Sequence, residues 1–205
     1  MTELLTAAQM RAVEAAAIES GEVTGLELME RAGQGVVDAV FEEWPELDEG
    51  GHRAVVLCGP GNNGGHGCVI ARLLKQRGWE VEVFLYGDHE TLPPDAKVNY
   101  QRWGTAGGEV LPLSWKTARD RFGAFGTGSP LIIDALFGTG LTRPLSKTVF
   151  DFLDFLSICF HELTSFRVAV DIPSGLDSDS GRVIELDIPV EGPAGQMTGP
   201  WLTAH

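Results

Sequence analysis

Residues 54–67 read Ala-Val-Val-Leu-Cys and then, without a break, Gly-Pro-Gly-Asn-Asn-Gly-Gly-His-Gly. A short unbroken apolar run is what a strand covered on both faces requires, and such strands belong to parallel sheets. The glycine string contains G-x-G-x-x-G at Gly59, Gly61 and Gly64 and opens into a helical stretch, 68–77, with Gly78 at its end. A junction of strand, glycine loop and helix places free N–H groups and a positive dipole end where a phosphate can bind. The alternative reading is a structural turn. No Gly-Lys-Ser/Thr follows, which disfavours a Walker-type hydrolase.

The flanking sequence repeats the alternation. Thr6 and Gln9 form a capping box for a helix over 7–20, and a second helix from about Leu26 carries Met29, Ala32, Val36, Val37 and Val40 on one face. Strands are predicted over 81–86, 131–136 and 167–171, with a weaker one at Val110-Leu111. A helix after Pro94 runs through Trp103, and a crossover helix lies within 147–163. Strands alternating with helices indicate an α/β domain with a mainly parallel sheet. Residues 191–205, rich in Pro and Gly, are expected to be irregular.

Composition removes several function classes. With 15 Lys and Arg against 29 Asp and Glu, the formal net charge is −14, unsuited to nucleic acid. Residues 1–50 hold 12 acids and two Arg, and the run Glu42, Glu43, Glu46, Asp48, Glu49 reads as a solvated helix end and loop. No apolar stretch is long enough for a membrane span, and no secretory signal is recognisable. Cys58, Cys68 and Cys159 fit buried thiols in a reducing compartment, so a cytoplasmic protein is expected.

Two further polar segments follow strands: Asp134–Leu145 (DALFGTGLTRPL) and Val168–Gly181 (VAVDIPSGLDSDSG). Asp134 follows a buried run, where a carboxylate is costly unless paired or coordinated. Asp171 stands before a Pro173-Ser174-Gly175 turn and reads either as a site acid or as a turn or capping acid. Asn62 and Asn63 read either as ligand contacts or as residues tolerating left-handed backbone. Arg143 is equally suited to an anion or to solvent, Asp88 is a weak candidate for a ribose acid, and Asp177 and Asp179 are expected in a solvated loop. All three segments fall at carboxyl ends of strands, where open α/β sheets bind ligands. There Asn63, Asp134 and Ser174 would bring together hard oxygen donors, a set for an alkali or alkaline-earth ion and not for zinc.

In this order, GPGNNGGHG, IIDALFGTGLTRP and VAVDIPSGLDSDSG resemble the NAD(P)H-hydrate epimerases, the YjeF N-terminal domain family, as do LLTAAQMRAVEAAAIESG and TGLELMERAG before them. The likeness spans residues 4–183, which sets a domain over 1–183 and an unaligned tail over 184–205. It implies a Rossmann-like three-layer α/β/α sandwich, here lacking its C-terminal edge strands. It implies an isomerase that interconverts the R and S forms of NADH or NADPH hydrated at C6 of the nicotinamide ring, with a separate dehydratase consuming the S form. By the same likeness, Asn62, Asn63, Gly64, Gly65 and His66 contact substrate. So do Gly138, Thr139, Gly140, Leu141, Thr142, Arg143 and Pro144, together with Asp171, the expected catalytic acid/base. Potassium is implied at Asn63, Asp134 and Ser174, and a homodimer is implied as the assembly. The family usually carries Asp at the position of His66. The competing readings are a non-catalytic nucleotide-binding or scaffold module of the same fold and an NAD-dependent oxidoreductase; the latter leaves the two later segments without a role.

Overall fold

The structure, a computed structural model, describes residues 5–49, 51–123, 129–160 and 166–184. Five parallel strands form one sheet: β1 (Arg53–Cys58), β2 (Glu80–Leu85), β3 (Val110–Pro112), β4 (Leu131–Ala135) and β5 (Phe166–Ala169). Among the described residues six α-helices accompany them: α1 (Ala7–Glu19), α2 (Gly25–Glu43), α3 (Asn62–Gln76), α4 (Pro94–Thr105), α5 (Trp115–Phe122) and α6 (Lys147–Cys159). The spatial strand order is β3-β2-β1-β4-β5. The chain therefore builds outward from β1 to β3, then returns to the other side of β1 for β4 and β5. This reversal opens a crevice between the carboxyl ends of β1 and β4.

Alternation along β1 divides the interior into two cores. Ala54, Val56 and Cys58 face a core with Val37, Ile70, Leu74 and Trp103 from α2, α3 and α4. Val55 and Leu57 face the other core, with Phe84, Ala118, Val149, Phe152 and Leu156 beneath α5 and α6. The result is a three-layer sandwich, as the resemblance implied. Helix termini are set locally: Thr6 and Thr24 close capping boxes, and Ser114 and Ser146 cap α5 and α6.

The structure refines several expectations. The buried stripe of α2 is Met29, Gly33, Val37 and Val40, while Ala32 is exposed and Val36 half-buried. α3 begins at Asn62, so most of the expected glycine loop is helix. β5 stops at Ala169 and is only half-buried, as an edge strand among the described residues. The charged α5 is an element that periodicity did not indicate. Glu42, Glu43, Glu46, Asp48 and Glu49 are all exposed, as expected. The three cysteines are buried, and both the Cys68 hydrogen bond and burial push the Cys58 thiol well above its ordinary range. The tail over 191–205 lies outside the described residues.

Phe152 lies wholly buried on α6, with its ring 5.1 Å from that of Phe84. Phe152→Ala is expected to destabilise the fold by about 3–5 kcal/mol, read as a lower urea midpoint at unchanged slope.

Candidate active site

Three segments meet at the crevice. The first is the junction of β1 and α3. Gly59 donates its N–H to the Ala135 carbonyl at 3.0 Å, which ties the end of β1 to the end of β4. A Cβ at Gly59 would stand 1.7 Å from the Leu136 carbonyl oxygen, so only glycine permits this approach. The N-cap of α3 is Gly61, which supplies no side-chain hydrogen bond. The first N–H groups of α3 are thus left for a ligand or solvent, unlike those of α1, α2, α5 and α6.

The second segment follows β4. Asp134 is 3% exposed, and its carboxylate is fully engaged. Oδ1 accepts from the Leu136 N–H (3.1 Å) and the Ser174 hydroxyl (2.7 Å), and Oδ2 accepts from the Ser174 N–H (2.9 Å). Ser174 Oγ in turn accepts from the Phe137 N–H at 3.0 Å. Burial raises the Asp134 pKa, and the hydrogen bonds from Ser174 and Leu136 oppose that rise.

The third segment follows β5. Val170 donates its N–H to the Asp134 carbonyl at 2.8 Å and accepts at its own carbonyl from Asn63 Nδ2 at 3.3 Å. Asp171 comes next and is exposed. Its φ of +73° makes it the one non-glycine residue with positive φ among the described residues. Such a conformation costs on the order of 1–3 kcal/mol and persists where the surroundings impose it. Here the constraint is visible. Asp171 Oδ2 accepts from the Thr139 N–H at 2.7 Å, and a Cβ at Gly138 would lie 2.3 Å from that oxygen. The left-handed backbone thus lays the Asp171 carboxylate onto the second glycine loop.

His66, on the second turn of α3, is half-buried, and its Nδ1 is buried without a hydrogen-bond partner. Burial lowers its pKa below the ordinary 6.5, while the Asp171 charge pulls the other way. Asn62 is exposed at the helix start, Gly64 and Gly65 are buried, and Gly140, Thr142, Arg143 and Pro144 are exposed along the rim with Leu141 half-buried. The asparagines are helical, which overturns the left-handed alternative for them. Asp88 caps a short 3-10 turn, accepting from the Glu90 N–H at 2.9 Å. Asp179, expected in a solvated loop, is exposed yet accepts from the Ala7 N–H at 3.0 Å and so anchors the start of α1. The Val170 carbonyl, the Thr139 N–H and Asp179 are contributors that residue types alone did not reveal.

The expected cation donors hold together chemically. Asp134 and Ser174 are in direct contact, Asn63 is joined to them through Val170, and Asn63 Oδ1 is buried with no partner. An orphaned amide oxygen, linked through Val170 to the strand that carries a buried carboxylate, is the kind of donor a hard monovalent cation takes. Among the described residues no cluster of three His, Cys, Asp or Glu offers a transition-metal site. A separate cleft of about 410 Å³, lined by Glu30, Arg72, Arg102, Thr105 and Ala106, lies where α4 ends, and there Glu30 pairs with both arginines.

The family described as YjeF-related protein N-terminus matches residues 25–191. The chain belongs to this family. It is 52% identical over 187 residues to an NAD(P)H-hydrate epimerase of Roseobacter litoralis, covering 86% of this chain and 80% of that protein. It is 47% identical to an NAD(P)H-hydrate epimerase of Rhodobacter capsulatus, covering 88% and 80%. A bifunctional NAD(P)H-hydrate repair enzyme of Moorella thermoacetica is 35% identical, with 87% of this chain aligned to 33% of that longer protein. The crystal structure of the yeast protein YNL200c shares the fold at TM-score 0.68 and 25% identity, covering 86% of this chain and 72% of that one.

Two measurements test this geometry. Gly138→Ala is expected to displace the Asp171 carboxylate and lower activity at least tenfold, with the melting temperature less affected. Because the folded-state pKa of His66 lies below 6.5, the unfolded chain takes up the proton first. The contribution of His66 to stability is therefore present above 6.5 and lost as pH falls from there through the lower folded-state value. The measurement is the imidazole titration by NMR, expected at a lower pH than free histidine.

Proposed function

We propose that this chain interconverts the R and S epimers of C6-hydrated NADH and NADPH. The observation that carries the reading is the Asp171 carboxylate, held in a left-handed conformation on the Thr139 N–H and exposed between the two glycine segments. Strain of this kind at an accessible acid, held on the loop after β4, supports a catalytic rather than a structural role. The named relatives support the substrate class.

The chemistry is assigned as follows. Epimerisation at C6 breaks the C–O bond and re-forms it on the opposite face, and the ring nitrogen supplies electron density to the cation formed between. Asp171 exchanges a proton with the C6 hydroxyl or its water and stabilises the developing positive charge. The uncapped start of α3 and the backbone N–H groups of Gly138 and Gly140 receive the phosphates. Arg143 stands exposed at the rim to meet them. Asn63, Asp134 and Ser174 would hold potassium, which supplies positive charge that organises the loops and has no redox part.

The family's joining of this domain to a second repair function in bifunctional relatives supports a partner dehydratase, here a separate protein acting on the S epimer. We assign the protein to the cytoplasm, with a homodimer as its assembly. In the described residues no helix is long and apolar enough to cross a membrane.

The test starts from purified R-hydrate and follows the S form by chromatography, in potassium and in lithium buffer. The unmodified protein is expected to equilibrate the epimers, faster in potassium. Asp171→Asn keeps a residue that tolerates the left-handed backbone and is expected to lower kcat by about 10²–10⁴-fold at unchanged melting temperature. A wild-type rate at saturating substrate would remove Asp171 from the mechanism.

A further inference from the structure

Moving a hydroxyl from one face of a ring to the other has a requirement that a single anchored acid does not meet. The departing hydroxyl must receive a proton on the first face, and the entering water must lose one on the second. Asp171 is fixed by its backbone and by Thr139, so it serves one face. A second proton-transfer group is required, and it must approach from another element.

The side chains around the crevice leave one candidate. Both oxygens of Asp134 are occupied by Leu136 and Ser174, and the guanidinium of Arg143 does not release a proton at neutral pH. His66 is placed otherwise. It lies three residues after Asn63 on α3, hence on the same face of that helix. Asn63 on that face reaches the carbonyl of Val170, the residue before Asp171. The Asp171 charge acts on His66, whose Nδ1 is buried with no hydrogen-bond partner among the described residues.

We propose that His66 is the second acid/base of the site, working with Asp171 around one shared proton. This rests on the epimerase reading above. With the hydroxyl on the His66 side, the imidazolium gives its proton to the leaving oxygen, the C6–O bond breaks, and the ring-nitrogen lone pair fills the gap as an iminium. Water then adds from the other face, its oxygen forming the new C6–O bond, and its proton goes to the Asp171 carboxylate. One proton has left His66, one has arrived on Asp171, and one water has left and one has entered. The opposite epimer runs the sequence backwards, and solvent returns the proton to its starting group.

Three substitutions and one additive decide the matter in the epimer assay. His66→Gln keeps polar contacts but carries no transferable proton, and kcat is expected to fall by about 10²–10⁴-fold while KM moves less than about threefold. His66→Ala is expected to lose as much and to regain rate in proportion to added imidazole. His66→Asp, which also carries a proton, is expected to exceed the Gln variant. Melting temperatures report whether each variant is folded. A Gln variant within about threefold of the parent kcat, a loss confined to KM, or an Ala variant indifferent to imidazole would each overturn the proposal. Failure of the unmodified protein to interconvert the epimers overturns the epimerase reading instead, and is seen before any variant is compared.

Discussion

The buried carboxylate of Asp134 is the constraint on which the rest of the site depends. An anion at the end of a central strand, 3% exposed, is tolerable only with its oxygens satisfied. Here the satisfaction comes from the Leu136 N–H just beyond the strand and from one other segment, through both the N–H and the hydroxyl of Ser174 beyond β5. The cost of burying the charge therefore becomes an ordering force. It fixes the Pro173-Ser174-Gly175 turn against the loop after β4, and Val170, hydrogen-bonded to the Asp134 carbonyl, follows in register. Asp171 inherits its position from these contacts, because its neighbours on either side are already placed.

The two carboxylates of the crevice thus have opposite environments and opposite work. Asp134 is buried, and both its oxygens accept hydrogen bonds that hold the turn. Asp171 is exposed, spends one oxygen on the Thr139 N–H, and keeps the other available. Separation of structural and reactive acids is what a site needs if a proton is to move without loosening the fold. The backbone strain at Asp171 is sustained by the same arrangement, since its carboxylate is held from the Thr139 side and its chain from the Val170 side.

Much of this was legible in the sequence, for a physical reason. Strands buried on both faces must be unbroken apolar runs, so β1 and β4 stand out, and polar residues directly after them are conspicuous. Asn63, Asp134 and Ser174 could be grouped because strand ends of one parallel sheet share an edge. What was hidden depends on tertiary contact. The first turns of α3 contain three glycines and two asparagines, poor helix formers. They are helical because the missing side chains admit neighbours: a Cβ at Gly65 would lie 2.5 Å from Met29 Sδ. α5 is short and charged, and buries only Ala118 and Phe122, too little for a periodic signal. The tie between Asp179 and the start of α1 joins residues 172 apart and has no local signature.

That tie bears on how the N-terminal helix relates to the site. α1 buries only Ala7 and exposes Met10, Val13 and Ile18, so packing alone gives it little reason to stay in place. Its capping box satisfies the Gln9 N–H through Thr6, and the Ala7 N–H is satisfied by Asp179 instead. A carboxylate at a helix start also meets the positive end of the dipole. Asp179 sits in the segment that continues from Ser174, so the helix start is held by the chain that Asp134 orders. The buried acid at the centre of the sheet thereby reaches, through one turn and one loop, to the opposite end of the described sequence.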